Sequence, residues 1–340
     1  MRIEAERIDT LERNLRGKTV GLIGDCCVDI YWHADMRLSE LSRETPHYPL
    51  PVTEERFSLG AGGNVAANMA ALRPGRVLML SAVGADWRAS LLRQAAERAG
   101  VDTSLIIETP GRVTNAYCKP MRRGISELVY EDPRLDFENH TPLPDAAEEK
   151  LIAALPGFVR ESDVIAVSDQ FRFGVLTPRV RESLLGEVKK AGKPLIVDSR
   201  SRITAYPGAI LKPNEVECWR AVYGENVPLP GGPEPIRAAA AVLSERLGSP
   251  VFCTLGANGS FYASKNASFS VPAVPLPPPL DICGAGDTTL AAFASALGAG
   301  EDPAFAAAFA SLASAVTVQK LGQTGTASFD EIRALLPLCD

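Results

Sequence analysis

The stretch DICGAGDTTLAAFASALGAG, residues 281–300, joins a glycine-rich turn to an alanine-rich run with the character of a buried helix. The first backbone N–H groups of a helix have no partner inside the helix, and the helix dipole adds positive potential at the same end. Such a turn can be closed by a capping side chain, or it can hold an anion such as a phosphate group. Asp287 stands in the first turn, where a carboxylate can take a proton from an alcohol that attacks a phosphoryl group. The stretch by itself leaves both interpretations open.

Short apolar runs alternate with amphipathic patterns along the rest of the chain. The runs typical of buried strands cover 19–24, 77–82, 164–168, 194–198, 209–211 and 251–255. Helical patterns lie between them at 64–72, 87–99, 146–154, 178–190 and 236–247. The alternation predicts an α/β fold with a mostly parallel central sheet that helices cover on both faces. Ligands of such sheets bind beyond the carboxyl ends of the strands, which here carry Gly24-Asp25, Ser168-Asp169, Asp198-Ser199 and Thr254-Leu-Gly256.

Two segments interrupt this alternation. Residues 31–58 are polar, contain prolines and show no helical period. Residues 112–138 contain two or three short strand-like runs around a turn at Arg123-Gly124. Because long loops without structure of their own are uncommon in compact domains, we expect both segments to form one small β lid. The lid would belong to a single domain that spans residues 1–340.

The composition excludes several classes of protein. The chain has 340 residues, 46% of them hydrophobic and 22% charged, and a net charge of −6, without the basic stripe of a nucleic-acid-binding surface. The N-terminal residues are charged throughout, so no secretory signal is expected, and the longest uncharged apolar stretch, 303–318, is too short to cross a bilayer. The seven cysteines include no C-x-x-C pair, and the three histidines stand apart. These features predict a cytoplasmic protein without a zinc site, a nucleic-acid partner or a membrane span.

Three further motifs have the form of binding loops, although each also has a simpler interpretation. Leu59-Gly-Ala-Gly-Gly-Asn64 can bring backbone and an amide close to sugar hydroxyls, or it can be a loop before an Asn-capped helix. Leu211-Lys-Pro-Asn-Glu-Val-Glu217 has the form of a capping box. Thr254-Leu-Gly-Ala-Asn-Gly259 suits contacts with a nucleotide, or it is a hairpin loop. The sequence has no P-loop, and its loose G-x-G-x-x-V at residue 60 lacks the preceding strand of a dinucleotide fingerprint.

Taken together and in this order, the four motifs resemble those of the ribokinase-like (PfkB-type) carbohydrate kinases, over about residues 19–327. The resemblance implies a three-layer α/β sandwich with a β lid that also serves as a dimer interface, so we expect a homodimer. It implies an ATP:sugar phosphotransferase in which Asp287 is the base that activates the acceptor hydroxyl. The backbone of Gly284, Ala285 and Gly286 would form the anion hole for the transferred group.

The resemblance also implies roles for binding residues and cofactors. For the nucleotide it implies ATP phosphates at Asn214, Mg²⁺ held through water by Glu217, and an ATP site lined by Thr254, Gly256, Gly259 and Ser311. For the acceptor it implies Asp29, Gly60, Gly62, Gly63 and Asn64, with Arg134 and Asp169 as further contacts. A monovalent cation, K⁺, is implied at Asp281, the Cys283 carbonyl, Thr317, Lys320, Gly322 and Thr326.

Three local features are similar to the heptose-7-phosphate kinase branch of this family, namely Gly24-Asp-Cys-Cys-Val-Asp-Ile-Tyr-Trp32, Leu59-Gly60 before Asn64-Val-Ala66, and Arg134-Leu-Asp-Phe-Glu138. Cations for a sugar phosphate would come from Lys119, Arg122, Arg123 and Arg172. The chain departs from that branch at Asp169-Gln-Phe-Arg-Phe-Gly174 and at Asp198-Ser-Arg200, where the branch usually has lysines. A nucleoside kinase of the same family and a non-catalytic protein that senses sugars or nucleotides remain alternatives. The presence of both Asp287 and Glu217 favours an enzyme, since a pure binder needs neither.

Overall fold

Two β-sheets organise the chain, of which the computed structural model describes residues 3–126 and 128–339. The strands of these residues are β1 (Thr19–Gly24), β2 (Cys26–Asp35), β3 (Val52–Ala61), β4 (Arg76–Gly84), β5 (Val101–Thr109), β6 (Ala116–Arg123), β7 (Val129–Glu131), β8 (Leu135–Phe137), β9 (Val164–Asp169), β10 (Leu195–Ser199), β11 (Ile210–Leu211), β12 (Val251–Thr254), β13 (Ser260–Ala263) and β14 (Ser268–Val271). The large sheet has nine strands in the order β14-β13-β12-β11-β10-β9-β1-β4-β5. Its strands from β12 to β5 are parallel, and β13 and β14 extend it as antiparallel strands.

Helices cover both faces of the large sheet. They are α1 (Ala5–Leu15), α2 (Gly62–Ala71), α3 (Trp87–Arg98), α4 (Asp145–Glu161), α5 (Pro178–Ala191), α6 (Glu215–Tyr223), α7 (Glu234–Leu247), α8 (Ala285–Gly298), α9 (Pro303–Thr317) and α10 (Phe329–Ala334). In β9, Val164 and Ala166 join the apolar cluster of α1, α2, α3, α8, α9 and α10 on one face, and Ile165 and Val167 join that of α4 to α7 on the other. A strand buried on both faces carries a continuous apolar run, as residues 164–167 of β9 do. This arrangement is the predicted three-layer α/β sandwich.

The small sheet is the expected lid. Its order is β3-β2-β6-β7, with β8 paired to β6. β2 runs antiparallel to β3 and parallel to β6, and β7 and β8 are exposed along their length. The lid draws on the two predicted segments, but its first strand begins at Cys26 and its second ends at Ala61, beyond the expected 31–58. The reason is that both strands carry apolar residues of the main core, such as Val28 and Leu59, before they enter the lid.

Other elements also differ from the sequence prediction, including α1, β14 and α10, which it does not contain. α4 continues to Glu161, past the expected end at residue 154 and past Pro156, because Phe158 and Val159 continue its apolar stripe. β5 was not expected as a strand, since its buried and exposed residues alternate, as suits the edge of a sheet. Among the described residues, no helix combines the length and apolar character needed to span a membrane.

Candidate active site

The turn before α8 combines a tight backbone with unpaired donors. Gly284 has a φ of +78°, in the left-handed region, and a Cβ at this position would lie 2.8 Å from Asn64 Nδ2. The Ala285 N–H donates to the Ile282 carbonyl at 3.1 Å, so this predicted anion-hole donor is used within the turn. The N–H groups of Gly286 and Asp287 donate to no group in the described part of the chain. These two donors at the positive end of α8 are open to an anion.

Asp287 faces the side-chain amide of Asn64. Asn64 Nδ2 donates to Asp287 Oδ2 at 2.8 Å. Burial raises the pKa of Asp287 to about 7; the Asn64 hydrogen bond and the Lys212 charge oppose this rise, and the charges of Asp198 and Asp29 add to it. A general base is most effective when its pKa lies near the working pH. Asp287 therefore has the proton affinity that a base needs at neutral pH.

A buried lysine lies behind the same turn. Lys212 is 2% exposed, and its Nζ lies 2.7 Å from Asp198 Oδ2. A Cβ on Gly286 would lie 3.9 Å from that ammonium group. Burial alone would lower the pKa of Lys212, but the neighbouring carboxylates, Asp198 first, shift it upward. The ammonium group stays charged and adds positive potential at the anion hole. Lys212 carries no functional prediction from the sequence, although its place directly after an apolar strand run is a usable signal.

Asn214 and Glu217 form a capping box at the start of α6. The Glu217 N–H donates to Asn214 Oδ1, and the Asn214 N–H donates to Glu217 Oε2, both at 2.9 Å. Burial and the charge of Asp198 raise the pKa of Glu217. The carboxylates of Glu217 and Asp198 suit a hydrated divalent cation, because its charge would relieve the repulsion between them. Within the described residues, no group of three or more His, Cys, Asp or Glu is placed to hold a metal directly.

The other predicted nucleotide-binding residues meet at the end of β12. Thr254 pairs with Asn214 through a parallel β-bridge. Gly259 has a φ of +81°, and a Cβ there would overlap the Val271 carbonyl oxygen, so the β12–β13 hairpin needs glycine at this position. Ser311 Oγ donates to the carbonyl of Pro272, the residue after Val271, at 3.3 Å. The structure thus brings together at this edge of the sheet Asn214, Thr254, Gly256, Gly259 and Ser311.

On the lid, Asp29 lies within β2, between Ser58 of β3 and Tyr117 of β6. Lys119 Nζ lies 3.4 Å from Asp29 Oδ2 and donates to the Tyr31 hydroxyl at 3.0 Å. Burial raises the pKa of Asp29, and the charge of Lys119 opposes that rise. A bound sugar hydroxyl would therefore share this carboxylate with a lysine.

The glycines before α2 keep the backbone close to these groups. A Cβ on Gly60 would lie 2.9 Å from Asp29 Oδ1, and one on Gly62 would lie 2.8 Å from the Asp25 carbonyl oxygen. Gly63 is buried in the first turn of the helix. Gly60 therefore borders the Asp29 carboxylate, whereas Gly62 and Gly63 allow close packing.

Cationic side chains surround the carboxylate of Asp29. Burial raises the pKa of Asp29, and the charges of Lys119, Arg134 and Arg56 favour its ionised form and oppose that rise. Arg134 pairs with Asp136 at 2.6 Å in the lid. Arg56 donates to a backbone carbonyl of the 321–327 loop at 2.6 Å, which ties the lid to the main domain. Arg134, which is predicted to contact the acceptor, thus lies close enough to Asp29 for its charge to act on that carboxylate.

Asp169 lies outside this group. Its side chain is fully buried and accepts hydrogen bonds from Ser199, Arg202 and Tyr206. The neighbouring Asp25 accepts three backbone N–H groups at 2.7–2.9 Å. Both aspartates hold loops at the carboxyl edge of the sheet, and this arrangement does not support an acceptor contact for Asp169.

The residues predicted to bind a monovalent cation lie in one region beside the turn, namely Asp281, Cys283, Thr317, Lys320, Gly322 and Thr326. Asp281 accepts hydrogen bonds from the N–H groups of Cys283 and Gly322, both at 2.9 Å. Lys320 Nζ donates to the Thr326 carbonyl at 2.6 Å. Groups of the chain itself already bind the Asp281 carboxylate and the Thr326 carbonyl, so the residues present do not form a free oxygen cage for K⁺.

Several solved structures have a similar fold. They include a ribokinase from Arabidopsis thaliana complexed with ribose and ATP, with a TM-score of 0.71 and 22% identity over 94% of this chain and 99% of that chain. Phosphofructokinase-2 from Escherichia coli in complex with potassium has a TM-score of 0.73 and 18% identity over 95% of this chain and 100% of that chain. These likenesses define the fold as ribokinase-like.

The sequence relationships are more specific. The family model described as "pfkB family carbohydrate kinase" matches residues 26–329. Proteins named "Bifunctional protein HldE" are 33% identical over 97% of this chain in Bradyrhizobium diazoefficiens and 34% identical over 96% of it in Caulobacter sp.. The chain spans 65% and 64% of the length of these two relatives. It belongs to the pfkB family of carbohydrate kinases.

Proposed function

We propose that this protein transfers the γ-phosphoryl group of ATP to a hydroxyl of a sugar phosphate, with heptose 7-phosphate as the acceptor. The position of Asp287 carries the proposal. Its carboxylate is held by Asn64 at 2.8 Å at the end of α8 where N–H groups are open. A pKa of about 7 lets it accept a proton at neutral pH.

In the proposed step, Asp287 takes the proton of the acceptor hydroxyl while that oxygen bonds to the γ-phosphorus. The bond from the γ-phosphorus to its bridging oxygen breaks, and ADP leaves. The N–H of Gly286 and the ammonium group of Lys212 stabilise charge on the transferred group. Mg²⁺ that accompanies ATP neutralises phosphate charge, and the carboxylates of Glu217 and Asp198 are the groups that would hold its water ligands.

A phosphate on the acceptor is supported by the charge around Asp29. Lys119 lies 3.4 Å from that carboxylate, and Arg134 and Arg56 also act on it electrostatically. Three cations against the two carboxylates of Asp29 and Asp136 leave one positive charge in excess, which favours a phosphorylated acceptor over a neutral sugar. The similarity to heptose-7-phosphate kinases at 24–32 and 134–138 adds the heptose to this argument.

An acceptor panel tests the proposal. ADP formation is measured with heptose 7-phosphate, fructose 6-phosphate, ribose, fructose and adenosine at equal concentrations, for the wild type and for Arg134→Gln. We expect heptose 7-phosphate to be preferred, and the variant to raise the KM for it by about 10- to 100-fold with little change in kcat. Arg43→Gln, in the exposed loop between β2 and β3, is the matched control.

Two results would overturn the proposal. A preference for adenosine would make the protein a nucleoside kinase. ATP binding without ADP formation on any acceptor would make it a sensing protein.

We further propose that two copies associate through the lid. Large apolar side chains are exposed along the lid, namely Val52, Phe57, Leu128, Val129, Tyr130 and Leu135. Exposed apolar clusters of this kind mark protein interfaces. Analytical ultracentrifugation should show a dimer for the wild type and for Val242→Asp, an exposed valine on α7, and a monomer for Val129→Asp. A monomeric wild type would contradict the lid interface.

A further inference from the structure

An amide behind the proposed base takes no part in the step described above. Asn68 follows Asn64 by one turn of α2 and is 2% exposed. Its Nδ2 donates to the backbone carbonyl of Asn64 at 3.0 Å and to that of Gly325 at 3.3 Å. Because a backbone carbonyl can only accept, these two contacts fix which end of the Asn68 amide is the nitrogen.

The other end of the Asn68 amide meets the helix of the base. Its Oδ1 accepts from Thr288 Oγ1 at 2.9 Å, and Thr288 is 1% exposed. The Thr288 hydroxyl also lies 3.2 Å from the Gly284 carbonyl, so the amide is its closer acceptor. A residue next to Asp287 in α8 is thus hydrogen-bonded to α2.

The orientation of Asn68 fixes that of Asn64. Asn68 Nδ2 also lies 3.2 Å from Asn64 Oδ1, and because it has two hydrogens for three acceptors, one hydrogen is shared between two of them. Since a donor meets this oxygen, the Asn64 nitrogen is the atom that faces Asp287, where it donates at 2.8 Å. The opposite orientation would place the amide oxygen against the carboxylate, with two acceptors in contact.

We propose that Asn68 and Thr288 are positioning residues for the base: they hold the Asn64 amide with its nitrogen toward Asp287, and so fix the carboxylate in the orientation that receives the proton of the acceptor. This inference rests on the proposed role of Asp287. A substitution at Asn68 or Thr288 should reach Asp287 through the Asn64 amide. The charged and titratable groups that face Asp287 from other elements are Asp29, Asp198, Lys212, Cys27 and Cys283.

The test compares isosteric variants of neighbouring threonines. Thr288→Val removes one of the hydrogen bonds that orient the Asn68 amide, and Thr288→Ser keeps it. Thr289→Val is the matched control, because Thr289 is also buried and donates only to the Ala285 carbonyl of its own helix, at 2.8 Å. Asn68→Asp is a second test, since a carboxylate cannot donate to Asn64.

The titration of Asp287 is the main measurement, because it needs no substrate. It is followed by carboxyl ¹³C NMR of the ligand-free protein, with the signal assigned by its loss in Asp287→Asn. We expect Thr288→Val to raise the titration midpoint by roughly 0.5–1 pH unit, because the Asn64 amide then samples both orientations. Asn68→Asp should raise it further, and Thr288→Ser and Thr289→Val should match the wild type. With an active acceptor, the pH profile of kcat should move in the same direction while the KM for ATP stays unchanged.

An unchanged Asp287 midpoint in Thr288→Val and in folded Asn68→Asp would overturn the positioning role. So would an equal shift in the Thr289→Val control. A protein that transfers phosphate to no acceptor would instead contradict the proposed function, and the NMR titration would still decide the inference.

Discussion

Replacing the proposed base with its amide should make the protein inactive and, at neutral or alkaline pH, more stable. In Asp287→Asn the new amide oxygen still accepts from Asn64 Nδ2, which lies 2.8 Å from the wild-type carboxylate. The variant loses the charge that burial disfavours, and it also loses the ability to take the proton of the acceptor. We expect kcat to fall by about 10²- to 10⁴-fold while the acceptor still binds.

The magnitude of the stability gain follows from the pKa of Asp287. Burial raises this pKa from 3.8 to about 7 in the folded protein. Because the folded state then binds the proton more tightly than the unfolded chain does, wild-type stability decreases as the pH rises from 3.8 to about 7 and stays low above that. A shift of about three pH units corresponds to about 4 kcal/mol, which screening of the partly exposed side chain reduces to about 2–3 kcal/mol. The Asn variant has no such titration.

Urea unfolding followed by tryptophan fluorescence measures this difference. At about pH 8 the variant should be more stable than the wild type by about 2–3 kcal/mol, and near pH 5 by about 1 kcal/mol. Glu182→Gln, an exposed carboxylate on α5, should give no gain at either pH. Equal stabilities of wild type and Asp287→Asn at about pH 8, or a difference that does not depend on pH, would refute the raised pKa.

Other predictions concern the surroundings of the base. Gly174→Ala should destabilise the protein by about 3 kcal/mol or more in urea unfolding, because the new Cβ would overlap the buried Asp25 carboxylate. Gly186→Ala is the control, since a Cβ there has no neighbour within 4 Å. Equal stabilities of the two variants would contradict the contact of Gly174 with Asp25. Lys212→Met should lower turnover at saturating ATP by about 10- to 100-fold relative to Lys189→Met, a control at an exposed lysine. Full turnover of Lys212→Met would show that Lys212 does not act at the anion hole. Because Asp281 and the Thr326 carbonyl already have partners within the chain, the reaction should run at the same rate in K⁺ and in tetramethylammonium at equal ionic strength, and a faster reaction in K⁺ would contradict this.

The layered fold and the glycine-rich turn before α8 could be predicted from the sequence, because both are set by local patterns. Apolar runs such as 164–168 are too short for helices and too apolar for a solvent-exposed strand, so a buried parallel sheet was the consistent solution. The capping interpretation of Asn214 and Glu217 was also local, and the hydrogen bonds of the box agree with it. β5 could not be recognised in this way, because an edge strand carries polar residues on one side.

The connections between distant segments could not be predicted. Asp169 stands at the correct edge of the sheet, yet its carboxylate is enclosed by Arg202 and Tyr206, and no local pattern reveals this partnership. Lys212 lies near Gly286 only because the segments after β11 and before α8 converge at the same edge. Asn68 appears in the sequence as an ordinary polar residue of a helix. Its role depends on contacts with residues more than two hundred positions away.

In the proposed reaction, phosphate passes from ATP to a sugar phosphate with Asp287 as the base. Phosphorus-31 NMR of a mixture of ATP, Mg²⁺, heptose 7-phosphate and enzyme follows this transfer directly. We expect one new phosphoryl ester per ADP formed with the wild type. With Asp287→Asn, which still binds ATP and the sugar phosphate, we expect no detectable ester in the time that the wild type needs for full conversion. ADP with inorganic phosphate in place of the ester, or ester formed by Asp287→Asn at the wild-type rate, would contradict the proposed reaction.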